Sequence, residues 1–279
     1  MSVTRPRSLG EAVSALAEHP DAQPLAGGTD LVVETNLGHR HPERIVALRR
    51  AEELREHRID DGALELGAMV TYGDIETRLA DEAPGLAMAS RTVGSPQIRN
   101  AGTVGGNLGT ASPAGDTLPW LLALDAEVEL VSAEGSRRLP LAEFITGPKR
   151  TARRPDELIR AVRARRVAGP QHTAKIGPRN AMVISIACLS LILDTDHRRV
   201  RVGLGAVAAT PVRPAEAEQA VSAAVDWHRL TCPDDAIARF ADACAAATNP
   251  ISDHRSTAEY RRHAVGVLAD RALRRCLSA

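Results

Sequence analysis

The chain has 279 residues, enough for two domains of ordinary size, each able to bury its own core. Lys plus Arg and Asp plus Glu each total 35, so the formal net charge is zero and the cation excess that a nucleic acid backbone demands is missing. No stretch of about 18 apolar residues is present to span a membrane, and Met1 to Ala17 lacks the apolar run of an export signal, so a cytoplasmic protein is expected.

Ser8 with Glu11 forms a capping box that opens a first helix, whose apolar residues Ala12, Val13 and Leu16 recur at helical spacing. Pro24 to Ala26 reads as a short strand that runs into Gly27-Gly28, and a helix follows over Asp30 to Leu37 with Gly38 at its C-terminus. Ile45 to Leu48 and Leu64 to Ala68 are further strands, and Thr71 with Asp74 starts another helix. A helix ending near Val93 precedes a second glycine turn, Gly102 to Gly109. Next come an apolar helix over Asp116 to Leu124, a strand over Val128 to Ser132 and a hairpin turn at Glu134 to Ser136.

The Arg-rich stretch Lys149 to Gly169 holds the strand Leu158 to Val162 and a linker. Val183 to Leu193 and Val200 to Ala208 then form a hairpin. Helices over Pro214 to Val225, Asp234 to Ala247 and Ser256 to about Cys276 complete the chain. The alternation of strands and helices indicates an α+β or α/β layout, divided as residues 1–168 and 169–279.

Cys188, Cys232, Cys244 and Cys276 are far apart and include no C-x-x-C pair, which argues against a metal site in this chain. Only Lys149 and Lys175 are lysines, so a lysine here stands out against the prevailing arginine. The strongest chemical signal is a pair of distant glycine segments, Leu25-Ala26-Gly27-Gly28-Thr29-Asp30 and Thr103-Val104-Gly105-Gly106-Asn107-Leu108. Each pair of glycines can turn successive backbone N–H groups toward one point and so make an anion nest. A charge-assisted hydrogen bond is worth about 1.5–3 kcal/mol, so two such nests could hold a diphosphate from both sides. Gly203 to Ala208 also fits a dinucleotide fingerprint, but Pro211 and Pro214 break the helix that fingerprint requires, which leaves a strand of small residues.

The two glycine segments, in this order, resemble those of the FAD-binding subunits of molybdenum hydroxylases, a family that includes the flavoproteins of carbon monoxide and xanthine dehydrogenases. The similarity extends through Pro24 to Leu31, Asp61 to Thr71, Val93 to Asn100, Gly102 to Pro119, Leu124 to Ala126, Gly147-Pro148, Lys175 to Ser185 and Asp253 to Leu273.

The resemblance implies a two-lobed FAD-binding domain of the vanillyl-alcohol-oxidase or PCMH type, followed by a smaller α+β domain with an antiparallel sheet and helices. It implies FAD as cofactor, with the diphosphate and ribityl chain wrapped by Gln23, Pro24, Leu25, Ala26, Gly27, Gly28, Thr29 and Asp30 and by Thr103, Val104, Gly105, Gly106 and Asn107. Asp116 would bond near the ribityl chain or ring, although it could equally cap the helix that follows it. Ile159 and Lys175 would lie beside the isoalloxazine.

The implied partners are a molybdenum-cofactor subunit, which oxidises substrate, and a subunit with two [2Fe-2S] clusters, which passes electrons to the FAD of this chain. No catalytic residue for substrate hydroxylation is expected here. Arg99-Asn100, before the second loop, is a candidate phosphate or partner contact, and Arg150 to Arg166 a candidate interface. The chain departs from the family pattern at His172-Thr173-Ala174, where an aromatic usually precedes the lysine, and at Val93. Two other functions fit the same residues: a flavoenzyme that acts alone on a small molecule, and a non-catalytic nucleotide-binding or assembly protein.

Overall fold

The computed structural model describes residues 1–60 and 62–279; Asp61, within one of the family-like stretches, lies outside the described residues. In the first lobe, the strands β1 (Ser2–Thr4), β2 (Gln23–Leu25) and β3 (Arg44–Ala47) form a parallel sheet in the order β1-β3-β2. Helix α1 (Leu9–Glu18) covers it because Ala12, Val13 and Leu16 fall on one face, where they meet Val46, Leu48 and Leu54. The Ser8 hydroxyl accepts from the Glu11 N–H at 3.1 Å, as the capping motif requires, while the Glu11 carboxylate reaches one residue further back, to the N–H of Arg7 at 2.7 Å. Helix α2 (Leu31–Asn36) follows the first glycine loop and ends at Gly38, whose φ of 73° is the left-handed geometry of a helix stop.

The second lobe is an antiparallel sheet of β4 (His57–Asp60), β5 (Ala63–Gly67), β6 (Glu127–Ser132), β7 (Gly135–Pro140) and a later strand, β10. Helices α3 (Tyr72–Arg78), α4 (Pro84–Arg91), α5 (Pro96–Ala101), α6 (Val104–Thr110) and α7 (Leu118–Ala123) lie between β5 and β6 in the chain. Both halves of the Thr71/Asp74 capping box are formed. A one-turn helix α8 (Leu141–Phe144) and the small pair β8 (Ile145–Gly147) and β9 (Arg150–Thr151) lead into β10 (Leu158–Arg165), which takes the middle of the sheet between β5 and β6.

The last part of the chain is an antiparallel sheet of β11 (Gln171–Ile176), β12 (Ala187–Asp194) and β13 (Arg199–Gly205), packed against α9 (Ala215–Ala224), α10 (Asp234–Ala246) and α11 (Ala258–Leu277). Gln171 joins this unit to the rest: its side-chain oxygen accepts from the indole N–H of Trp120 at 2.8 Å and from the Gly85 N–H at 3.1 Å, and its amide donates to the Val167 carbonyl. Gly203 lies in β13, as the proline argument requires, and a Cβ there would overlap the carbonyl of Pro119. Its smallness serves the close approach of α7 to β13.

Several expectations from the sequence change. The second glycine segment is not a turn but the start of α6, with Thr103 as N-cap. The N-cap of α7 is Thr117 and not Asp116, whose carboxylate points to other partners; that of α11 is Thr257 and not Ser256. Strand β4 was not anticipated because His57-Arg-Ile-Asp60 is an edge strand with three exposed residues and no apolar alternation. Strand β11 escapes pattern reading because polar side chains fill its buried positions: Gln171 is bonded as above, and the Thr173 hydroxyl donates to the Gly85 carbonyl at 2.8 Å.

Candidate flavin site

A cavity of about 300 Å³ opens between the two lobes, at the small end of the range for ligand pockets. The whole stretch Gln23 to Asp30 lines it, joined by Thr103, Gly105, Gly106 and Asn107 from the start of α6 and by Ile159 from β10. Ile159 sits at a register shift in the pairing of β10 with β6, a bulge of the kind that re-aims a side chain.

The two glycine segments play different parts. In the first, no group among the described residues accepts from the N–H of Gly27, Gly28, Thr29 or Asp30. Four adjacent donors without a protein partner, in a cavity wall, are left available to an anion. In the second, the donors of Val104 to Asn107 are already used. The N–H of Val104 goes to the Val70 carbonyl, that of Gly105 to Ala68, that of Gly106 to the Thr103 hydroxyl, and that of Asn107 to the Thr103 carbonyl, all at 2.9–3.0 Å. The second segment therefore does not offer the run of free donors expected of it.

The second segment contributes shape instead. A Cβ on Gly105 would lie 2.5 Å from the Cβ of Ala68, so this glycine lets α6 sit against the strand end. Gly106 lines the cavity, where a Cβ would meet only the Thr103 hydroxyl at 3.0 Å and Ala26 at 3.8 Å. In the first segment, Gly28 has φ 76°, and a Cβ on Gly27 would overlap the carbonyl of Ala101. The absence of side chains brings the two segments together and leaves room over the free donors.

Asp116 and Lys175 meet each other, but, with Val104, they lie outside the cavity wall among the described residues. The Lys175 ammonium donates to Asp116 Oδ2 at 2.7 Å and to the Thr92 carbonyl at 3.2 Å, and the Ser185 hydroxyl donates to Asp116 Oδ1 at 2.5 Å. Burial pushes the Asp116 carboxyl above the usual range, against the pull of Lys175 and Ser185. Lys175 is 8 % exposed, which excludes a solvated linker cation.

Tyr72 feels the charge of Asp116. It lines the wall, and burial together with the charges of Asp116 and Asp30 holds its phenol well above the ordinary range, so the hydroxyl keeps its proton.

Arg99 is occupied elsewhere, by Glu76 at 2.9 Å and by the carbonyls of Val93 and Gly94, and is not a free phosphate contact. Of the Arg-rich stretch, Arg154, Arg160, Arg163 and Arg166 are paired with Glu157, Glu65 and Glu129, Asp60, and Glu82 of the same chain. Glu34, Arg40, Tyr72, Lys149 and Arg153 line the cavity without having been singled out from the sequence as ligand contacts. The rarity of lysine and of tyrosine was the available signal for Lys149 and Tyr72.

Fold and site together define a dinucleotide-binding α+β protein with an appended sheet-and-helix domain. Residues 1–164 match the model of the FAD binding domain in molybdopterin dehydrogenase, and residues 172–276 that of the CO dehydrogenase flavoprotein C-terminal domain. The chain belongs to the family of these molybdopterin dehydrogenase FAD-binding proteins. It is 31% identical to the glyceraldehyde dehydrogenase medium chain of Sulfolobus acidocaldarius, with 98% of this chain and 97% of that one covered. It is 32% identical to the carbon monoxide dehydrogenase medium chain of Afipia carboxidovorans, covering 97% and 94%. Among solved structures, reconstituted CO dehydrogenase from Oligotropha carboxidovorans has a chain that superposes with a TM-score of 0.90 at 29% identity, covering 100% of this chain and 98% of that one.

The residues present fit FAD. A diphosphate needs several donors and room beside them, and the first loop supplies four free N–H groups, two of them on glycines without side chains; the wall beyond, at Leu158 and Ile159, is apolar.

Proposed function

We infer that this chain is the FAD-carrying subunit of a molybdenum hydroxylase, taking electrons from [2Fe-2S] clusters of a partner and delivering them to a terminal acceptor. The observation that carries this reading is the row of four unengaged N–H groups at Gly27 to Asp30, in a cavity built by both lobes of a family domain. Bound FAD supplies the redox chemistry; the chain supplies its position and electrostatics. Gly27 to Asp30 hold the diphosphate, Gly106 and Asn107 shape the passage beside it, and Ile159 offers an apolar wall. Tyr72 is a neutral donor at the cavity, and the Asp116–Lys175 pair fixes the charge behind it.

The partners are a molybdenum-cofactor subunit and an iron–sulfur subunit, in line with the molybdopterin dehydrogenase family of both matching domains. The complex is assigned to the cytoplasm; among the described residues no helix is long and apolar enough to cross a membrane. The test is the visible spectrum of the purified chain with its released cofactor identified, followed by mixing with the two partner subunits and a reducing substrate. Near-stoichiometric FAD that bleaches only when both partners are present supports the reading. Bleaching by substrate with the isolated chain would instead identify an enzyme that acts alone.

A further inference from the structure

Three cations line the cavity: Arg40, Lys149 and Arg153. Two of them share one carboxylate, because Glu34 takes Lys149 at 2.5 Å and Arg40 at 2.9 Å. Arg153 differs. Its Nη1 donates to the carbonyls of Arg154, Pro155 and Glu157 at 2.9, 3.2 and 2.7 Å, which fixes the guanidinium against the turn between β9 and β10. Among the described residues no carboxylate forms an ion pair with it; Glu157, close in sequence, is taken by Arg137 and Arg154.

Among the described residues the Nε and Nη2 of Arg153 have no acceptor, yet they are not among the sealed, unpartnered atoms, so this edge stays open to solvent on a residue that lines the cavity. Burial pulls its pKa down, and the nearby carboxylates of Glu157 and Asp156 oppose that shift without pairing with it. A guanidinium is suited to this position because its fork offers two parallel donors to a phosphate.

We propose that Arg153 is the counter-cation of the bound dinucleotide's diphosphate, completing from the β10 side the anion cradle that the amides of Gly27 to Asp30 begin. The proposal rests on the assignment of FAD to this cavity.

The test is titration of the full-length chain, stripped of cofactor, with FAD and separately with riboflavin, which has no phosphate, at several salt concentrations. The variants are Arg153→Met, Arg153→Lys and, as comparator, Lys149→Met. Arg153→Met is expected to weaken FAD by about tenfold or more, the value of a charge-assisted hydrogen bond, to flatten the salt dependence, and to leave riboflavin unchanged. Arg153→Lys should fall between, and Lys149→Met should change FAD affinity less than Arg153→Met.

Unaltered FAD affinity in a folded Arg153→Met chain overturns the proposal, as does an equal loss for riboflavin. An unchanged affinity with a shifted flavin potential would place the charge beside the ring and also overturns it. If Arg153→Met does not fold, Arg153→Lys decides: an FAD affinity reduced less than about tenfold, with salt dependence retained and riboflavin unchanged, supports the charge role, while equal losses for FAD and riboflavin overturn it. A wild-type chain that binds neither ligand defeats the FAD assignment itself, a result distinct from the loss of Arg153's part in it.

Discussion

Lys175 Nζ lies 2.7 Å from Asp116 Oδ2, and this ion pair ties β11 of the C-terminal unit to the turn before α7. Both side chains are almost wholly buried, at 8% and 10% exposure, so each charge depends on the other for compensation. Lys175→Met alone is expected to cost about 3–5 kcal/mol and Asp116→Asn alone a comparable amount, with the double variant recovering much of the loss. Urea denaturation of the four proteins measures the coupling; additive losses would show that the pair is not energetically linked.

The glycines of the two segments separate folding from ligand binding. Gly27→Ala places a methyl on the Ala101 carbonyl and is expected to unfold or misplace the loop. Gly106→Ala meets nothing closer than 3.0 Å and should fold with a near-native melting temperature while losing FAD affinity, because its methyl enters the cavity. Thermal melts paired with flavin absorbance check both, and a cofactor-replete Gly106→Ala protein would contradict the placement of the ligand beside α6.

Gln171 satisfies the indole N–H of Trp120 and the backbone of Gly85 and Val167, all buried. Gln171→Leu leaves three groups without partners, and the penalty for each is about 1–3 kcal/mol. A large fall in melting temperature is expected, together with faster amide exchange in α4 and β11. Exchange unchanged in both elements would mean that other contacts hold the two units together.

Glu157 is buried and binds Arg137 at 2.6 Å and Arg154 at 3.0 Å. Burial alone would raise its pKa, but the Arg137 bond, the Arg154 N–H and both guanidiniums outweigh it and bring the carboxyl from 4.5 down to about 2. A carboxyl whose pKa is lower folded than unfolded stabilises the protein fully above the unfolded value, and that contribution disappears as pH falls from about 4.5 through about 2. Glu157→Gln should therefore be less stable at neutral pH and show a flatter acid limb. Parallel acid unfolding curves for the two proteins would refute this origin.

Local features of the fold were legible in the chain because their causes are local. Ser8, Thr71 and Gly38 mark helix ends through bonds or backbone angles within a few residues, and the alternation of apolar residues locates β5, β6 and β10. The paired glycines likewise announce a place where two backbones and a ligand come together. The identity of the donors did not follow. Gly105 and Gly106 resemble Gly27 and Gly28 in sequence, but the Gly106 N–H goes to Thr103, the N-cap of α6, and the Gly105 N–H to the Ala68 carbonyl, which only the arrangement of β5 against α6 makes available. For the same reason Arg153 could not be told from its arginine neighbours: Arg154, Arg160, Arg163 and Arg166 each find a carboxylate, several from distant strands, whereas Arg153 is left facing the cavity. Residue types and spacing set which groups are offered; long-range packing sets which of them are already engaged and which stay free for a ligand.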